Sequence, residues 1–234
     1  MSTSIHKLML EQIERLANSL GNDLLQEMVF VGGCTTGIHI SDEFIKDTVR
    51  HTKDVDLIVS IQSNHEWNTL QDILVKERGF KHPPMSDKDA PLCRLYLDDL
   101  PVDFMPIDPV ILGFSNRWYE DGMAHAVEHR LESGIVIKVL TSPHFIATKF
   151  EAFIGRGKGD YLSSHDIEDI LTVISGREEL VEEVKSCSTE LKKYIIENLN
   201  KALSNDDFDY AVQSIPGDLS EVIYDRIGKI VTLE

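Results

Sequence analysis

A double glycine followed by two closely spaced aspartates constrains this chain more than any other feature of its sequence. Gly32 and Gly33 come directly after the apolar residues 28–31, and Asp54 and Asp56 open a second apolar segment further along. A strand that ends in two glycines predicts a tight turn, here into a short helix, whose backbone N–H groups can bind an anion such as phosphate. Residues two apart on a strand project from the same face, so the two aspartate side chains are predicted to converge.

Converging carboxylates predict a site for a hard cation. In proteins, Mg²⁺ is typically held by one or two carboxylates together with the phosphates of a substrate. The glycine turn and the two aspartates therefore indicate metal-assisted transfer of a phosphoryl or nucleotidyl group. The alternative interpretation is an acidic strand end that is exposed to solvent and holds no metal.

A predicted hairpin adds a third aspartate to this pattern. Residues 93–97 alternate between polar and apolar, residues 98–101 carry a turn signal, and Asp103 lies in the returning apolar segment 102–106. A carboxylate among apolar residues is costly to bury unless a partner compensates its charge. One such partner is Arg94 across the hairpin; the alternative, a metal ion shared with the other aspartates, is what the family resemblance described next implies.

The spacing of these motifs resembles a known family. Gly32-Gly33 followed by Arg50-x-Thr52-x-Asp54-Val55-Asp56 is similar to the signature of the polymerase-β-type nucleotidyltransferase superfamily. Within that superfamily it resembles the AbiEii/AbiGii group, whose members include toxins of type IV toxin–antitoxin systems. The resemblance implies an α+β nucleotidyltransferase fold, a mixed sheet with flanking helices, over residues 1–140. A helical C-terminal domain would follow over residues 141–234.

The same resemblance implies site residues in the first domain. They are Asp54, Asp56 and Asp103 as ligands of one or two Mg²⁺ ions, and Gly32, Gly33 and Thr52 as contacts of the nucleotide.

In the second domain, Ala147-x-Lys149-x-x-Ala152 resembles a family segment whose lysine reaches the phosphates of the nucleotide. By the same likeness, Arg156 or Lys158 would help to neutralise the charge on the departing phosphates. Lys149 lies within a predicted helix over 144–154, and Arg156 and Lys158 follow that helix.

Asp166-Ile167-Glu168-Asp169-Ile170 resembles the family's Lys-Asp-x-x-Asp-Leu/Ile motif, with His165 in place of the basic residue. The resemblance places Asp166, with Lys149, in an active-site cleft. It gives Asp169 a structural role, either in capping or in pairing with Arg156.

The activity implied by the resemblance is the Mg²⁺-dependent transfer of an NMP from an NTP to an acceptor hydroxyl, with release of pyrophosphate. The acceptor class stays open among a tRNA or other RNA end, a protein and a small molecule. A toxin role, with a cognate antitoxin as partner, is compatible with this activity. The replacement at His165 favours an alternative, a nucleotide-binding regulatory protein of the same fold with little or no catalysis.

A competing motif lies in residues 116–131, which are predicted to form one helix. His125-Ala126-Val127-Glu128-His129 matches the inverted zinc-peptidase pattern, in which two histidines one helical turn apart bind zinc and the glutamate is the base. The motif is short and the chain has 9 histidines, so a chance match on a solvated helix face is the favoured interpretation.

The charge of the chain limits its nucleic-acid partners. The formal net charge is −17, so the average surface repels nucleic acid, and an RNA acceptor would need a local basic patch.

Cysteine usage and hydropathy favour a cytoplasmic protein. The three cysteines, Cys34, Cys93 and Cys187, are scattered and form no Cys-x-x-Cys pair, which argues against both a disulfide framework and a zinc ribbon. The sequence shows no signal-type apolar block and no apolar run of the roughly 20 residues that a membrane span needs. We therefore expect a reducing compartment and no membrane partner.

Overall fold

The computed structural model describes residues 4–85, 87–157, 159–215 and 219–233. The chain divides into two compact units. We call Met1–Thr35 with His51–Leu140 the sheet unit, and Thr36–Arg50 with Thr141–Glu234 the helical unit. The sequence placed residues 36–50 in the first domain, whereas the structure groups them with the helices that follow residue 140.

The described residues form the following strands and helices, numbered in chain order. The strands are β1 Met28–Val31, β2 Val55–Val59, β3 Phe80–Lys81, β4 Arg94–Leu97, β5 Leu100–Pro106, β6 Val127–Arg130 and β7 Val136–Val139. The helices are α1 Ile5–Leu25, α2 Glu43–Lys46, α3 Asn64–Glu77, α4 Pro109–Leu112, α5 Tyr119–Ala124, α6 Ser142–Arg156, α7 His165–Gly176, α8 Leu180–Ser186, α9 Thr189–Leu203, α10 Asp206–Ser214 and α11 Ser220–Val231.

The sheet unit is built on a mixed sheet of seven strands in the order β3-β4-β5-β2-β1-β7-β6. β1 runs antiparallel to β2 and parallel to β7, while β2 runs parallel to β5. The central strands are apolar and buried, with Phe30, Leu57 and Phe104 fully enclosed. Together with the helices, this sheet confirms the predicted α+β class. A charged side chain on these strands therefore lies in a costly environment unless it is paired.

Helix α1 is amphipathic. Ile13, Leu16 and Leu20 recur at helical spacing and are completely buried. Gly21, at φ +74°, interrupts the helical conformation, in the left-handed region that glycine enters without steric cost.

The helix predicted over residues 116–131 is wrong. Only Tyr119–Ala124 is helical, and Val127–Arg130 forms β6, which pairs antiparallel with β7. A turn at Gly134, φ +90°, joins the two strands. His125 follows the end of α5 and His129 lies in β6, so the two histidines do not share a helix face. The inverted zinc-peptidase arrangement, which needs that face, is not formed.

The helical unit contains α6 and α7, whose apolar residues are buried along most of both helices. Ser164 caps α7 by accepting a hydrogen bond from the backbone N–H of Ile167. The C-terminal helices α9 and α11 pack on α6 and α7 within this unit. Leu191, Ile195 and Ile227 are completely buried there.

The end of α7 explains why residues 36–50 belong to the helical unit. The carbonyl of Gly176 accepts hydrogen bonds from the backbone N–H groups of Ser41 at 2.9 Å and Asp42 at 3.1 Å. A Cβ on Gly176 would lie 2.6 Å from Cγ2 of Ile40 and 3.0 Å from Cγ2 of Ile45. This close approach depends on a tertiary contact that no local pattern reveals.

Among the helices of residues 4–85, 87–157, 159–215 and 219–233, none combines the length and the apolar content that crossing a membrane requires.

Candidate functional site

The register of the sheet brings the predicted acidic residues together. Asp56 of β2 lies opposite Asp103 of β5 in a parallel pair, and Asp103 lies opposite Arg94 of β4 in an antiparallel pair. Register partners project from the same face of a sheet, and neighbouring strands are about 4.8 Å apart. Asp54 directly precedes β2, two residues before Asp56. The carboxylates and the guanidinium therefore form one group, which we call the acidic cluster: Asp54, Asp56, Asp103 and Arg94.

Arg94 holds two of these carboxylates. Its Nε and Nη2 atoms each donate a hydrogen bond of 2.8 Å to one oxygen of Asp103. The same Nη2 atom also donates to Oδ2 of Asp54 at 2.8 Å. The pairing of Arg94 with Asp103 is one of the two alternatives that the sequence left open, whereas the role of Asp103 as a metal ligand stays a prediction. The contact between Arg94 and Asp54 depends on the sheet register and was not predicted.

The guanidinium of Arg94 remains charged in this setting. The hydrogen bonds to Asp103 raise the pKa of Arg94, and they outweigh the opposing effect of burial. Its side chain is 20% exposed, and that of Asp103 is 10% exposed. A bidentate bond between charged groups is among the stronger hydrogen-bonded pairs in proteins.

The glycine turn reaches the acidic cluster at Gly32. A Cβ at this position would lie 1.9 Å from Oδ2 and 2.8 Å from Cγ of Asp56, so any side chain here would displace the carboxylate. The φ of Gly32 is +76°, in the region that favours glycine. A short 3₁₀ helix, Gly33–His39, follows, in agreement with the predicted short helix. The turn and the carboxylate of Asp56 are therefore in contact.

Thr52 supports the entry into β2. Its hydroxyl is buried and donates to the backbone carbonyl of Asp54 at 3.2 Å. This contact fixes the backbone that carries the first aspartate. The role of Thr52 in nucleotide binding stays a prediction.

Cys93 is a further neighbour of the acidic cluster, and no sequence motif predicted it as a site residue. Burial, with the negative charges of Asp103 and Asp56, raises the pKa of its thiol to about 12. The thiol is therefore neutral at physiological pH. Its place directly before Arg94 in the predicted hairpin was the only sequence signal available.

A second group of predicted residues forms an ionic cluster inside the helical unit. Lys149 Nζ donates to Asp169 at 2.6 Å and to Asp166 at 3.3 Å. Arg50 makes two hydrogen bonds of 2.8 Å with Asp169, and Arg156 makes two with Asp166, at 3.0 and 3.1 Å. We call these five residues the ionic cluster.

The centre of the ionic cluster, Lys149 with Asp166 and Asp169, is buried and charged, whereas the side chain of Arg156 is exposed. The side chain of Lys149 is 7% exposed and that of Asp169 is 1% exposed. Burial by itself would lower the pKa of Lys149, but the charges of Asp169 and Asp166 raise it above its ordinary value. Burial would likewise raise the pKa of Asp169, but Lys149 and Arg50 lower it. The opposite charges therefore keep both groups ionised.

The pairing in the ionic cluster differs from the one suggested for Asp169. Asp169 pairs with Arg50 and Lys149, whereas Arg156 pairs with Asp166. Arg156 is the last residue of α6, and its side chain approaches Asp166 in the first turn of α7. The roles of Lys149, Arg156 and Asp166 toward a nucleotide stay predictions. Lys158 lies outside the described residues.

Comparison with known proteins does not assign the chain to a family. No model of a known protein family matches the chain, and no curated protein matches it either.

Proposed function

We propose that the protein is a Mg²⁺-dependent nucleotidyltransferase of the polymerase-β type, with Asp54, Asp56 and Asp103 as the metal ligands. The observation that supports this most is the register of β2 and β5, which sets Asp56 beside Asp103, with Asp54 two residues away. Carboxylates from neighbouring strands supply the oxygen ligands that Mg²⁺ prefers.

The residues present fit a hard divalent cation. A positive group, the guanidinium of Arg94, already bridges Asp54 and Asp103, so these carboxylates are placed to share one cation. Gly32 lets the backbone approach Asp56 where any Cβ would collide with the carboxylate. When bound, Mg²⁺ would neutralise charge on the triphosphate and lower the pKa of the acceptor hydroxyl.

The protein's own groups would orient the reactants around that ion. Asp54, Asp56 and Asp103 would fix its position, and the turn at Gly32 and Gly33 would lie against the phosphates. Transfer of this kind depends mainly on positioning and on electrostatic stabilisation, which rigid strand-borne carboxylates supply. The proposal includes a toxin role and an antitoxin partner, and these two parts are supported only by the sequence resemblance to the AbiEii/AbiGii group.

A second candidate is a nucleotide-binding regulatory protein of the same fold. The observation that favours it is the engagement of Asp54 and Asp103 by Arg94, which gives both carboxylates a cationic hydrogen-bond partner from the protein itself. This candidate predicts nucleotide binding without transfer.

The proposal is tested by a transfer assay with each of the four α-³²P-labelled NTPs and Mg²⁺. RNA, total protein and a mixture of small hydroxyl compounds would be offered as acceptors, and labelled acceptor and pyrophosphate would both be measured. We expect transfer from at least one NTP, and we expect Asp56→Asn to abolish it while the circular dichroism spectrum is retained.

The matched control is Asp72→Asn, which removes a carboxylate from an exposed pair on α3 and should keep the wild-type rate. A folded Asp56→Asn variant with the wild-type rate would exclude this site. Nucleotide binding without labelled acceptor or pyrophosphate would favour the regulatory candidate.

A further inference from the structure

The acidic cluster contains a cation that belongs to the protein itself. One nitrogen, Nη2 of Arg94, lies 2.8 Å from an oxygen of Asp54 and 2.8 Å from an oxygen of Asp103. The second Asp103 oxygen is bound by Nε of the same side chain at 2.8 Å. Both oxygens of Asp103 and one oxygen of Asp54 are thus engaged by a single guanidinium.

A divalent metal ion would need the same oxygens. Mg²⁺ binds carboxylate oxygens at about 2.0–2.1 Å and requires near-octahedral geometry. Each N–H donor takes up acceptor capacity of an oxygen that the metal would need, and the positive charge of the guanidinium repels the ion. The guanidinium and the metal therefore compete for Asp103 in the bidentate arrangement observed.

The sheet explains why Arg94 holds this position. Arg94 is the register partner of Asp103, so its side chain emerges beside that carboxylate. Asp103 is buried and needs a compensating charge when no metal is bound. The arginine side chain has several rotatable bonds, so it can release the carboxylates while the backbone of β4 stays in place.

We propose that Arg94 is an internal competitor of the divalent metal: it occupies Asp54 and Asp103 in the metal-free protein, and metal binding requires it to leave. The inference rests on the proposed function, because it concerns regulation of the same site. Arg94 thus stabilises the metal-free fold and weakens the binding of free metal.

The test measures Mn²⁺ binding to the full chain without nucleotide, by isothermal titration calorimetry and by the electron paramagnetic resonance signal of free Mn²⁺. Arg94→Gln removes the charge and should lower the Kd for Mn²⁺ by about tenfold or more, because hydrogen bonds between charged groups correspond to factors of that size. Arg94→Lys keeps the charge without the bidentate geometry and should give an intermediate Kd.

The chain offers a matched control in Arg15. This arginine of α1 also pairs with two aspartates, the exposed Asp98 and Asp99 at the turn between β4 and β5. Arg15→Gln removes the same charge from an exposed pairing with that hairpin and should leave the Kd for Mn²⁺ unchanged. The tighter binding of Arg94→Gln should disappear when Asp56→Asn is added.

Thermal unfolding provides the second readout. Metal-free Arg94→Gln should melt below the wild type, and saturating Mn²⁺ should raise its Tm by more than it raises that of the wild type. If Arg94→Gln does not fold, the comparison of Arg94→Lys with the wild type carries the test.

Equal or weaker Mn²⁺ binding by the folded Arg94 variants, or no Mn²⁺ binding by any form, would overturn the inference. Transfer activity in the wild type together with unchanged Mn²⁺ affinity in Arg94→Gln would overturn this inference alone. Tighter Mn²⁺ binding in Arg94→Gln without any transfer in the wild type would overturn the proposed function alone.

Discussion

Replacing Asp169 with asparagine should destabilise the protein more than replacing any other member of the ionic cluster. The carboxylate of Asp169 is shared by Lys149 at 2.6 Å and by Arg50 through two hydrogen bonds of 2.8 Å. After Asp169→Asn, the buried Lys149 retains a single carboxylate partner, Asp166, at the longer distance of 3.3 Å. Breaking a buried ion pair from one side typically costs about 3–5 kcal/mol. We expect a loss in that range.

Lys149→Met should cost less, although it removes the most central cation. Asp169 would keep both hydrogen bonds from Arg50, and Asp166 would keep both from Arg156. Both carboxylates therefore remain paired, and methionine fills a similar volume. We expect about 1.5–3 kcal/mol, the usual contribution of a hydrogen bond to a charged group.

The assay is urea unfolding followed by circular dichroism, from which the free energy of unfolding is extrapolated. The control is Asp225→Asn, which breaks an exposed pair with Lys229 one turn apart on α11 and should cost less than about 0.5 kcal/mol. The reasoning is refuted if Asp169→Asn matches this control, or if Lys149→Met is the more destabilised of the two cluster variants.

The ionic cluster also sets a pH dependence. The pKa of Asp169 is lowered, so its stabilising effect is present above the ordinary value of about 3.9 and is lost as the pH falls below it. The pKa of Lys149 is raised, so its effect is present below about 10.4 and is lost as the pH rises further. The stability difference between the wild type and Asp169→Asn should be constant from about pH 5 to 9 and shrink in acid. A difference that persists unchanged at pH 3 would contradict this.

Two further predictions concern the sheet unit. Gly32→Ala should destabilise the protein by more than Gly79→Ala, because both glycines have positive φ but a Cβ at Gly79 meets open space. Urea unfolding should give a loss of about 1–2 kcal/mol for Gly79→Ala, and equal losses would refute the contact with Asp56. The buried thiol of Cys93, whose pKa is raised to about 12, should resist iodoacetamide at pH 8 while the partly exposed Cys187 reacts; mass spectrometry that finds Cys93 modified in the native protein as fast as Cys187 would contradict its burial.

Local signals in the sequence predicted the elements whose conformation depends on near neighbours. The apolar residues 28–31 form β1, and the glycines after them lead into a short 3₁₀ helix. The hairpin that carries Asp103 also forms as its alternation and turn residues predicted. Each of these depends on interactions within a few residues, which a single sequence records.

Features that depend on distant parts of the chain could not be predicted in the same way. Residues 127–130 form a strand because β7 pairs with them, although their local pattern resembled a helix. The bond from Arg94 to Asp54 requires the register of β2, β5 and β4. Asp169 finds Arg50, which is 119 residues away in sequence. Long-range pairing decides these contacts, and no sequence spacing encodes it.

The measurement that tests the central claim most directly is thermal unfolding of the purified protein with Mg²⁺ and each NTP in turn, beside an Asp54→Asn/Asp56→Asn variant. A ligand at about 100 times its Kd that binds only the folded state adds about 2.7 kcal/mol, which corresponds to a rise in Tm of roughly 5–10 °C for a chain of this size. We expect such a rise for at least one NTP, dependent on Mg²⁺ and absent from the variant. If no NTP raises the Tm, or if the variant responds as strongly as the wild type, these aspartates do not form a metal–nucleotide site.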